Sequence, residues 1–119
     1  MKLLQMRHRD KFKKRVYSYA EVVGQCKKVP GGSLLAVRGA YLPILVRESH
    51  WVGAAIMPDE KRIVFYDPDG EGLDAKYLVD NLLRLVVDEY KRDGNRSQAE
   101  IDKFRECWSW VDMSCHYPK

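Results

Sequence analysis

Cysteine is scarce and unpaired in this chain of 119 residues: Cys26, Cys107 and Cys115 are odd in number and form no CxxC pair. That speaks against a disulfide framework and a zinc ribbon and fits a reducing intracellular compartment, nucleus or cytoplasm. No metal or cofactor is expected. No uninterrupted apolar run approaches the roughly 18 residues that span a bilayer, and Met1 to Met6 is too short for the apolar region of a signal peptide, so no membrane partner is expected. Internal repeats and low-complexity linkers are missing too. What remains is 45% hydrophobic and 32% charged with 13 aromatic residues, enough to bury one core. The length suits a single domain over residues 1–119.

Charge is polarised along the chain. Residues 1–38 carry ten basic and two acidic side chains, whereas residues 39–119 carry eleven and fifteen. The densest run, Arg7 to Arg15, reads as a solvated helix face, or else as an import signal or nucleic-acid contact. A nucleic-acid partner is not expected, since the rest of the sequence offers nothing to support it. From Lys11 to Val23 the apolar residues Phe12, Val16, Tyr19, Ala20 and Val23 recur at spacings of three and four, which predicts an amphipathic helix within a basic helical arm over residues 1–30. Val29-Pro30-Gly31-Gly32 stops it.

The period then changes. Tyr41 to Val46 is a short run rich in branched residues and interrupted by Pro43, which predicts an edge or bulged strand. Trp51 to Met57 and Arg62 to Tyr66 are apolar segments joined by Pro58-Asp59-Glu60-Lys61, a connection of hairpin length. After Asp67-Pro68-Asp69-Gly70, Asp74 can cap a helix whose stripe is Leu78, Val79, Leu82, Leu83, Leu85, Val86 and Tyr90. Asp80 and Arg84 suit an i,i+4 pair on its polar face, Lys91 and Arg92 oppose its dipole, and Gly94 can end it. Ser97 and Glu100 spell a capping box for a short helix with Ile101 and Phe104 inward. Trp108 to Met113 alternates as a last strand. The pattern is α+β: a small, mostly antiparallel sheet flanked by helices.

The hairpin brings two chemical groups together. With Pro58 to Lys61 as the loop, Met57 faces Arg62 and Val52 faces Asp67, so His50 and Asp67 are diagonal neighbours on one side of the sheet. Such diagonals are about 7–8 Å apart at the backbone, within reach of an imidazole and a carboxylate. A carboxylate on one ring nitrogen fixes the tautomer and leaves the other nitrogen to deprotonate a nucleophile. The same geometry also suits a structural His–Asp contact at a strand end, and pairing alone does not choose between them.

The succession Tyr41-Leu42-Pro43-Ile44-Leu45-Val46, Ser49-His50-Trp51-Val52-Gly53-Ala54-Ala55-Ile56 and Lys61-Arg62-Ile63-Val64-Phe65-Tyr66-Asp67-Pro68-Asp69-Gly70 resembles the core of the ubiquitin-like-protein (SUMO and sentrin-specific) cysteine proteases, relatives of the adenovirus protease. In that family an apolar strand is followed by His-Trp, a hydrophobic strand, a basic turn and a strand ending in Asp. The resemblance runs from about Tyr41 to Lys119 and implies a papain-like cysteine protease core. It makes His50 the general base, Asp67 its orienting carboxylate and Trp51 an aromatic lid over the Gly-Gly tail of a SUMO-like modifier or its conjugates. Pro68 departs from the family's frequent Ser.

The family draws its nucleophile from a Gln-x-x-Gly-x-Asp-Cys-Gly motif, which has no counterpart before Lys119. The expectation is therefore an incomplete catalytic domain, inactive alone, with the motif encoded just downstream. Cys115 beside His116 lacks a following helix to favour its thiolate, and Cys26 and Cys107 read as packing residues. Trp108 and Trp110 read as core or interface. The alternative is a catalytically dead pseudoenzyme that holds a ubiquitin-like modifier without cutting it.

Overall fold

The computed structural model describes residues 17–46, 50–68 and 75–113. Four strands, β1 (Ala40–Val46), β2 (His50–Met57), β3 (Arg62–Tyr66) and β4 (Ser109–Asp112), form one sheet in that spatial order. The first three are antiparallel and β4 runs parallel to β3. A parallel neighbour needs a long crossover. Here the connection contains the helices α2 (Ala75–Arg92) and α3 (Gln98–Glu106), making the fold α+β with a mixed sheet. Pro43 falls on edge strand β1, where a missing backbone donor is tolerated.

The β2–β3 hairpin has the expected four-residue loop, closed by the Lys61 amide donating to the Pro58 carbonyl at 3.1 Å. Lys61 takes φ 50° to complete the reversal. The resulting register pairs Met57 with Arg62, Ile56 with Ile63 and Gly53 with Tyr66. Alternation then sorts the faces. Leu42, Ile44, Val52, Ala54, Ile56, Ile63 and Phe65 are buried and join a core with Leu78, Val79, Leu82, Leu85 and Val86 of α2. Full burial of a Val, Leu, Ile or Phe side chain stabilises the fold by about 1.5–3 kcal/mol.

The first described segment departs from expectation. Helix α1 spans Tyr19–Cys26, and it buries Val22 and Cys26, whereas Ala20 of the expected stripe is exposed. Ser18 is extended at φ −135°, ψ 115°. Tyr17 on one side of it donates its hydroxyl to Asp88 at 2.9 Å, and Tyr19 on the other donates to Glu89. These long-range bonds fix where the helix starts and which way it faces. Tyr17, Val22, Cys26 and Val29 belong to the core, so the described part of the expected arm over residues 1–30 is integral to the body. Residues 1–16, with the basic run Arg7 to Arg15, lie outside the described residues.

Two 3₁₀ turns, Pro30–Gly32 and Leu34–Ala36, lead into β1. Gly31 at φ 84° could not be replaced cheaply, because a Cβ there would meet the Ala36 Cβ at 2.7 Å. In α2, Asp80 pairs with Lys76 at 3.0 Å and Arg84 lies over the Tyr17 ring at 4.9 Å, in place of the expected Asp80–Arg84 pair. The capping box at α3 forms as read from sequence, with Ser97 and Glu100 each accepting the other's backbone amide. Asp74, the expected cap of α2, is outside the described residues. The Tyr90 and Phe104 rings stack at 4.0 Å, with Arg96 over Tyr90 at 4.1 Å, joining α2 to α3.

Candidate active site

His50 opens β2, paired with Val46 of β1. The strand's alternation puts position 50 in phase with buried Val52, Ala54 and Ile56. Asp67 follows directly on β3, one residue beyond the Gly53–Tyr66 pair, and is 2% exposed. The hairpin thus brings positions 50 and 67 to the same end of adjacent strands. Trp51 is half a pleat away, paired with Leu45 and 43% exposed, on the face of the sheet opposite Asp67.

The described cysteines stand apart from this corner. Cys26 is buried against α2, and burial followed by the nearby Glu89 charge pushes its thiol up to about 11, far from thiolate at neutral pH. Cys107 is exposed after the last turn of α3, just before Ser109 of β4, which pairs with Arg62. From Arg62 to Asp67 the chain rises about 17 Å, so Cys107 lies toward the far end of the sheet. Among the described residues no cluster of His, Cys, Asp and Glu could hold a metal ion. None of the described helices is long and apolar enough to cross a membrane.

Two features escaped the sequence reading. Glu89, fully buried in α2, accepts from Arg92 at 2.9 and 3.0 Å, from the Leu34 amide at 2.9 Å and from Tyr19. Burial pushes its carboxyl up, but the bonds from Arg92, Tyr19 and Leu34 outweigh burial and hold it below the ordinary carboxylate value. The available signal was its phase: position 89 continues the apolar series 78, 82, 85. The second is the outer sheet face, where Tyr41, Gly53, Ala55, Val64 and Tyr66 make the strands apolar on both sides. A strand apolar on both sides signals a second covered face.

The chain belongs to the Ulp1 protease family: residues 1–110 match the model of its C-terminal catalytic domain. No curated protein matches the chain significantly. Among solved structures it is similar to the SUMO protease Ulp1 with its catalytic cysteine oxidised to a sulfonic acid, at 18% identity and TM-score 0.59, covering 82% of this chain and 40% of that one. It is also similar to the C-terminal Ulp1 protease domain in complex with Smt3, the yeast ortholog of SUMO, at 19% identity and TM-score 0.56, with the same coverage. These likenesses show the fold. The chain spans 40% of the length of those solved domains.

Proposed function

We propose that the chain carries the base and orienting carboxylate of a SUMO-type cysteine peptidase, with His50 as the base and Asp67 as its partner. Trp51 would contact the C-terminal tail of a SUMO-like modifier. The observation that carries this reading is the hairpin register, which aligns position 50 and buried Asp67 at one end of β2 and β3. A carboxylate there would hold one imidazole nitrogen protonated and free the other to accept a thiol proton. Membership of the Ulp1 family supports the chemistry, and a solved relative bound to Smt3 supports the class of partner.

A thiol attacking a SUMO-linked carbonyl beside His50 has to come from outside the described residues, because Cys26 is buried and Cys107 is remote. In a second reading the chain holds a modifier without cutting it. Titration with a SUMO-like modifier, alongside a fluorogenic substrate carrying the modifier's C-terminal tail, tests both. The expected result is binding that Trp51→Ala weakens, and no turnover by this chain. Turnover that survives His50→Ala overturns the assignment of the base, and turnover lost on Cys115→Ser makes Cys115 the nucleophile.

A further inference from the structure

We draw no further inference here: the strongest candidate, the apolar groove that Tyr41, Pro43, Gly53, Ala55, Val64 and Tyr66 line on the face of the sheet turned away from α2, carries nothing because nothing in the structure shows what covers it.

Discussion

The backbone amide of Leu34 donates to Glu89 Oε1 at 2.9 Å across 55 residues of sequence, joining the second 3₁₀ turn to the interior of α2. The same carboxylate takes two bonds from Arg92, whose Nη2 also donates to the Gly32 carbonyl at 2.7 Å. One buried acid therefore ties α1, the glycine turn and α2 into a unit that supports the buried side of β1 and β2. Fully satisfied buried polar networks of this kind are costly to interrupt.

Glu89→Ala should lower unfolding free energy by about 3 kcal/mol, near the low end for breaking a buried ion pair because Arg92 retains some access to water. Glu89→Gln should cost less, since it keeps the shape and part of the bonding. Urea melts measure both. The sign with pH follows from the lowered carboxyl: the stabilisation is complete above the ordinary value of 4.5 and is lost as pH falls through the folded-state value. The acid limb of the wild-type stability profile should therefore be steeper than that of Glu89→Gln.

Thiol labelling should separate the two described cysteines. Burial pushes the Cys26 thiol up to about 11, so alkylation at neutral pH should modify exposed Cys107 readily and Cys26 only as the protein unfolds. Peptide mass spectrometry over a time course reads this directly. Equal rates at both sites would show that α1 leaves the body easily.

Ser97→Ala removes the side-chain half of a reciprocal cap, in which the Glu100 amide donates to Ser97 Oγ at 3.1 Å. The expected cost is about 1 kcal/mol, with faster amide exchange in the first turn of α3. Thermal melts and hydrogen exchange check the two parts separately.

Lys61 adopts φ 50° in the hairpin loop, a left-handed conformation that costs a residue with a Cβ about 1–2 kcal/mol. Lys61→Gly should therefore raise stability by up to about 1 kcal/mol after the greater freedom of the unfolded chain is set against it. Lys61→Val should lower it. Neither should alter the pairing of Met57 with Arg62, because apolar alternation on both strands also fixes the register.

What could be read from sequence was local. The hairpin register follows from a four-residue polar loop between apolar runs, the α3 cap from Ser97 and Glu100, and the edge position of β1 from Pro43. The start and facing of α1 could not be read that way, since they depend on Tyr17 and Tyr19 reaching Asp88 and Glu89 some seventy residues on. Arg84 was open to the same error: a polar-face pairing rule offers it Asp80, while the tertiary fold offers it the Tyr17 ring. At the candidate site, the alignment of positions 50 and 67 was legible, and the separation of Trp51 onto the opposite face follows from the same period of two. Glu89 was hidden because a charged residue inside an apolar stripe reads as an exception until its partners are known.

The base–carboxylate assignment can be tested without a nucleophile. If Asp67 faces His50 as proposed, its negative charge stabilises the imidazolium and raises the histidine's pKa. Asp67→Asn keeps the shape and removes the charge, so the NMR titration midpoint of His50 should fall. The chain's other two histidines, His8 and His116, serve as internal references because neither adjoins the hairpin in sequence. A midpoint for His50 that stays put in Asp67→Asn, in a protein whose amide spectrum shows the sheet intact, would mean that the carboxylate serves the core alone. The shared register of β2 and β3 would then carry no base.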